Sequence, residues 1–345
     1  MLSSVFSTSS SLLLLSLSLS ASLSAVADAA PMPTGAWPTS KGLERFDAPR
    51  VVKAGETFDG GMKTFERSNV VCQGQKESGA KDAVFIVEPG ATLKNVIIGK
   101  NQMEGVHCDK HDCTIENVWW DDVCEDALTI KGGSATSVAR VIGGGARHAD
   151  DKVVQHNGPG KVSIDGFYAH SFGKLYRSCG TCGDVKREVE LSNVLAVDPK
   201  VSVVTVNSNF GDRAVLRNVV VESSKAKVAV CSKTKGGSGG EPTKDGDGPD
   251  GKVCVYGPND VTINAKKASE VDKDKDKETA GDSDGGATSE TKAPSKEQNK
   301  HKKKNDNSKT HNDENRSLDF ADLELERGYQ NESENENDVR RSLRA

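Results

Sequence analysis

Short alternating apolar stretches recur through the middle of the chain, each bounded by Gly, Asn, Asp or Ser. They are "TLKNVIIG", "TIENVWWDD", "SVARVIGGG", "SIDGFYAHS", "LSNVLAVD" and "LRNVVVES". Alternation closed by turn residues predicts strands. Aligned on Asn95, Asn117, Arg140, Gly166, Asn193 and Asn218, the stretches repeat at intervals of 22, 23, 26, 27 and 25 residues. Repetition at that period points to a solenoid. One such unit cannot bury its own apolar face, but stacked units form a continuous core. The expected fold is all-β, a parallel β-helix, right-handed because parallel crossovers take that hand.

The repeat also serves as a ruler for a second set of strands. These are "DAVFIVE", "EGVHC", "EDALTI", "DKVVQH", "GKLYRS" and "PKVSVVTV". The ruler aligns Asp82, Gly105, Asp126, Lys152, Lys174 and Lys200. The positions just before them are Lys81, Glu104, Glu125, Asp151, Gly173 and Pro199. Equivalent residues on stacked strands lie roughly 4.8 Å apart. Glu104, Glu125 and Asp126 therefore gather beside Lys152 and Lys174, with Arg177 further along its strand. Oxygen donors in that number suit Ca²⁺, and cations one or two coils away suit an acidic ligand. A ladder of solvated surface ion pairs is the competing reading.

The two ends of the chain read differently. Residues 1–30 hold a short apolar run closed by small residues, "AVA" at Ala25–Ala27, as in a secretory signal cut near Ala27 to Ala30. Residues 31–50 read as an N-terminal linker and 51–265 as the β-helix. From 266 to 345 the chain turns to Lys, Asp, Glu, Asn and Ser. Such a composition cannot bury enough apolar surface to order itself, so a disordered tail is expected. Asn315 and Asn331 begin glycosylation sequons within it.

A net charge of −5 over 345 residues favours no particular partner, so neither nucleic acid nor membrane is expected, and a monomer is. Eight cysteines in a secreted chain predict disulfides. Close spacing favours Cys108–Cys113 and Cys179–Cys182, with Cys231–Cys254 next. His107, His148 and His156 lack metal-binding spacing. Trp119 and Trp120 read as filling the outside of a coil against a loop, with a sugar platform as the alternative.

Several longer motifs occur in one order: "ATLKNVIIG", "EGVHC", "CTIENVWWDDVCEDALTIKG", "DKVVQHNGPG" and "FGKLYRSCGTC". In these the chain resembles the polysaccharide lyase family 3 pectate lyases, from about Val51 to about Asn264. The resemblance implies a secreted, extracellular enzyme that cleaves polygalacturonate by Ca²⁺-dependent β-elimination. It places calcium carboxylates on Glu125 and Asp126, and a third on Glu104, where the family usually has Asp. It places the basic residues on Lys152, Lys174 and Arg177. Lys152 is the expected base, its pKa lowered by Ca²⁺, Lys174 and Arg177. Lys174 and Arg177 are expected to hold substrate carboxylates and share the enolate charge, with Arg177 the alternative base. A pectin-directed glycoside hydrolase on the same fold and a non-catalytic polygalacturonate-binding or elicitor protein are the other readings.

Overall fold

The computed structural model describes residues 29–225 and 227–265. Residues 1–28 of the expected signal segment and the whole expected tail lie outside them. Almost every strand pairs in parallel with the strand one coil later, and the register defines three faces. One face stacks Arg50–Val52, Ala83–Val87, Glu104–Cys108 and Asp126–Ile130, followed by the ends of three long strands, Gly145–His156, Tyr168–Ser178 and Arg187–Asn207. A second stacks Thr114–Trp120 (its start), Val138–Ile142, Gly160–Asp165 and the start of Arg187–Asn207. A third carries Leu43–Phe46, Val96 to Ile98, Val118 to Trp120 and Tyr168 to His170. This is the expected parallel β-helix. The exception is a hairpin of Ala229–Lys235 with Thr243–Asp247, which is antiparallel.

The repeated asparagine marks the corner between the second and third faces. Asn95, Asn117, Asn193 and Asn218 all take positive φ, from 50° to 53°. Asparagine tolerates this left-handed conformation better than other side chains. Their amides join successive coils, Asn117 Nδ2 donating to Asn95 Oδ1 at 2.9 Å and Asn218 Nδ2 to Asn193 Oδ1 at 2.7 Å. Arg140 does not belong to this column. It pairs with Thr114, three residues earlier, and Gly143 (φ 65°) turns the corner instead. Glycine adopts positive φ without strain, so that coil keeps the bend without the Asn-Val signature.

The interior is a stack of apolar side chains. Phe85, Val106, Leu128, Val154, Tyr176 and Val204 occupy one register position on successive coils, and all are buried. Trp120 belongs to this interior too, tilted against Phe167 at 6.3 Å. Only Trp119 fills the outside, edge-on to Trp37 at 4.9 Å. The expected linker is therefore partly structure. Within it Trp37 covers Trp119 and Leu43–Phe46 forms a rung with Thr64 to Arg67, and just before it Ala30 donates its N–H to Asp165. Leu43 and Arg45 both face outward on this rung, so no apolar alternation marks it and no repeat interval reached it. The favoured disulfides Cys108–Cys113, Cys179–Cys182 and Cys231–Cys254 are all formed, and Cys72–Cys124 is the fourth.

Candidate active site

Two rows of side chains run across the first face. Glu104, Asp126, Lys152, Lys174 and Ser202 occupy one register position, and His107, Thr129, Gln155, Arg177 and Thr205 another. The ruler is off by one at Glu104, which pairs with Asp126 itself rather than with Glu125. Gly105 pairs beyond it, where a Cβ would meet Ala127 O and Trp120 Nε1 at 2.4 Å. Lys200 also leaves the row, since Ser202 holds that position while Lys200 reaches outward to Asp150 at 2.7 Å. Bulges shift the register between Ala149 and Lys152 and between Phe172 and Lys174. At the second bulge a Cβ on Gly173 would lie 2.3 Å from Asp151 O, so glycine lets the coils close and sets Lys174 beside Asp151.

All six predicted site residues line one pocket. Glu104, Glu125 and Asp126 bring oxygens within 4.8 Å of one another, and each is only 3% exposed. Three buried carboxylates at that spacing repel one another and lose hydration. Burial, then Asp126, push Glu125 well above the ordinary glutamate range. Burial pushes Asp126 up to about 7 against the pull of Lys152. Burial opposes ionisation of Glu104 as well, but His107 outweighs it and leaves Glu104 below its usual value. Asp126 Oδ1 is buried without a hydrogen-bond donor, although Lys152 Nζ stands 3.7 Å away. An all-oxygen set with an unsatisfied buried atom fits a hard divalent cation.

The basic residues differ in their partners. Lys152 Nζ lies 3.2 Å from Glu125 Oε1 and 3.0 Å from Asp151 Oδ2. Lys174 pairs with the other oxygen of Asp151. Arg177 Nε donates to Ser178 O at 3.2 Å, and its guanidinium has no carboxylate partner among the described residues. The direction for Lys152 is the reverse of the sequence expectation. Burial works to lower its pKa, but Asp126, Glu125 and Asp151 outweigh it and hold the ammonium well above the ordinary lysine value. The expectation assumed that a bound cation and the other basic groups dominate; without the cation, the acids do.

Sequence reasoning missed three groups here. Asp151 stood in the column before Lys152 but went unused. It is the shared counter-ion of both lysines, and they hold its carboxyl far below the usual range despite burial. His107 Nδ1 is bonded to Asp109 Oδ1 at 2.9 Å, and its Nε2 lies 3.1 Å from Glu104 Oε2, close enough for an ion pair though off hydrogen-bond geometry. Burial opposes its charge, yet Asp109 and Glu104 raise it to about 9. Ser78 Oγ donates to Glu104 Oε1 at 3.3 Å from a segment outside the repeat. The far wall of the pocket is the Cys179–Cys182 loop. Buried Arg187 braces it, with Nη1 donating to Cys179 O and Nη2 to Asn157 O.

Comparison with known proteins identifies the family. The pattern of the pectate lyase family matches residues 34–240. Probable pectate lyase E of Neosartorya fischeri is 53% identical over 220 residues, covering 64% of this chain and 83% of that protein. Probable pectate lyase D of Emericella nidulans is 57% identical over 182 residues, covering 52% and 67%. Among solved structures, pectate lyase PelI from Erwinia chrysanthemi in complex with tetragalacturonic acid is 29% identical with a TM-score of 0.50, covering 64% of this chain and 68% of that one. Pectate lyase Pel3 from Pectobacterium carotovorum is 28% identical with a TM-score of 0.51, covering 70% and 74%. With the match spanning the coils that carry the acid cluster and the basic row, the chain belongs to the pectate lyase family.

Proposed function

We propose that this lyase is secreted and cleaves de-esterified polygalacturonate by Ca²⁺-dependent β-elimination, leaving 4,5-unsaturated oligogalacturonates. The observation that carries this reading is the buried trio Glu104, Glu125 and Asp126, with Asp126 one rung from Lys152 and two from Lys174 and Glu104 one rung further back. Glu104, Glu125 and Asp126 would hold the ion. Bound there, Ca²⁺ supplies Lewis acidity toward a substrate carboxylate and charge stabilisation for the enolate. Lys152 Nζ takes the C5 proton, Lys174 and Arg177 bind substrate carboxylates, and Arg177 has no carboxylate partner among the described residues to give up. Asp151 keeps one negative charge between two lysines and favours their charged forms, so Lys152 gives up its proton against that pull.

Secretion is supported by the apolar leader ending in Ala25–Ala27 and by the four disulfides, which leave no free cysteine among the described residues. The parallel rungs run to Val261–Ala265, and residues 266–345 are proposed to be dispensable for turnover. The deciding experiment incubates the protein with polygalacturonate, with and without chelator, and follows ultraviolet absorbance of the unsaturated product. Absorbance that chelator abolishes and Ca²⁺ restores is expected. Saturated reducing ends alone would favour a hydrolase, and no cleavage would favour a binding protein.

A further inference from the structure

Residues 72–82 leave the repeat and cross in front of the acid cluster as a strap, with one short turn at Ala80–Asp82. Three attachments fix it. The Cys72–Cys124 disulfide ties its start to the residue immediately before Glu125. Gln75 Nε2 donates to Cys124 O at 2.7 Å. Ser78 Oγ donates to Glu104 Oε1 at 3.3 Å. The strap is thus bolted to the coil that supplies two of the carboxylates and touches the third. Between these attachments, Glu77 lines the same pocket as Glu104, Glu125 and Asp126.

A loop that served only to brace the helix would need the disulfide and the Gln75 bond. It would not need to deliver a hydroxyl to a buried carboxylate. Nor would it bring another acid to a pocket whose three carboxylates already repel each other. Glu77 brings a further carboxylate-bearing side chain to the lining of that pocket, on the same segment as Ser78. The buried Asp126 Oδ1, with no hydrogen-bond donor, marks where a cation is called for.

We propose that this strap is part of the cation site, resting on the Ca²⁺ reading above. Ser78 fixes the Glu104 carboxylate, Glu77 adds a further negative charge at the mouth, and the Cys72–Cys124 bond holds both in place. The length of Glu104 gives the hydroxyl its purpose. A glutamate carboxylate has one more rotatable bond than an aspartate, and each anchoring contact removes alternatives. Ser78 at Oε1 and Thr129, whose Oγ1 lies 3.4 Å from Oε2, hold it at both oxygens.

The test is calorimetric titration of CaCl₂ into the full-length protein, beside unfolding temperature in chelator. Ser78→Ala and Glu77→Gln should each weaken the calcium Kd by about three- to tenfold, the effect of one modest interaction, with the chelator unfolding temperature unchanged. Cys72→Ser with Cys124→Ser should weaken it at least as much; if that pair of changes prevents folding, the two single variants carry the test. Glu125→Gln is the control for the site itself. Binding lost in Glu125→Gln but of wild-type strength in both Ser78→Ala and Glu77→Gln would overturn the role of the strap alone. A wild type that binds no calcium, or a Glu125→Gln variant that binds as tightly as wild type, would overturn the cation reading together with it.

Discussion

Replacing His156 by glutamine should flatten the acid side of the stability curve. His156 and His111 are fully buried, with their Nε2 atoms 3.2 Å apart. The proton positions follow from the neighbours. Asp112 N–H donates to His111 Nδ1 at 3.0 Å, so His111 carries its proton on Nε2 and donates to His156 Nε2. His156 then carries its proton on Nδ1, facing Tyr176 OH at 2.8 Å. Both rings are neutral, and a second proton on His156 would set one N–H against another. Burial, His111 and Arg187 accordingly push His156 well below its usual value, and burial lowers His111. A depressed histidine pKa means that the unfolded chain binds more protons. Stability from this pair is therefore full above an unfolded pKa of about 6.5 and lost as pH falls below it. Each histidine contributes a limiting slope of about 1.4 kcal/mol per pH unit. Urea unfolding from pH 7.5 to pH 5, with wild type and His156→Gln compared, should show wild type steeper by up to about that slope. Equal slopes would refute the argument, because carboxylates titrate alike in both proteins and cancel from the difference.

Three further outcomes are expected. Lys152→Ala should lower kcat by about 10²- to 10⁴-fold with little change in KM, while Lys174→Ala and Arg177→Ala should alter both; near wild-type kcat in Lys152→Ala would remove it as the base. Asp151→Asn takes away a carboxylate 3.0 Å from Lys152 Nζ that raises its pKa, so the rising limb of the pH–rate profile should move about 1–3 units toward acid, and an unmoved or alkaline-shifted limb would contradict the assignment. Asn193→Ala loses the bond to Asp165 Oδ1 at 2.8 Å and the one accepted from Asn218, and keeps a φ of 53°; unfolding free energy should fall by about 2–4 kcal/mol, and Asn193→Gly should fall less, since glycine relieves the strain.

The sequence made the faces legible because each coil repeats the same alternation and corner. It misled where a coil keeps the geometry with different residues. Gly143 bends the chain as Asn117 does, but the apolar run around Arg140 looked more like the neighbouring asparagine steps. Glu104 was picked out as a candidate, yet one position out of register, and Gly105 falls under Trp120 in a close approach that only the folded coils reveal. The strap was out of reach altogether. Nothing periodic marks residues 72–82, and the Cys72–Cys124 bond spans 52 residues. The charge state of Lys152 was illegible for a different reason. It depends on which of several opposite charges stands nearest, and the ruler gave rows without distances.

Those distances also bear on which lysine is the base. Glu125 and Asp126 serve as counter-ions to Lys152 in the structure, at 3.2 and 3.7 Å, and they are also two of the three carboxylates proposed for calcium. One set of carboxylates cannot serve an ammonium and a divalent ion equally, so metal binding and proton loss are linked. Lys174, one rung further on, shares no carboxylate with the metal set; its partner is Asp151. Occupation of the acid cluster therefore removes two of the three partners of Lys152 and none of those of Lys174. On the proposed reading, the order along the helix axis, acid rungs first and then Lys152 before Lys174, would make Lys152 the amine most strongly biased toward losing its proton once a cation occupied the acid cluster. The same row would leave Lys174 protonated and able to bind a carboxylate of the substrate.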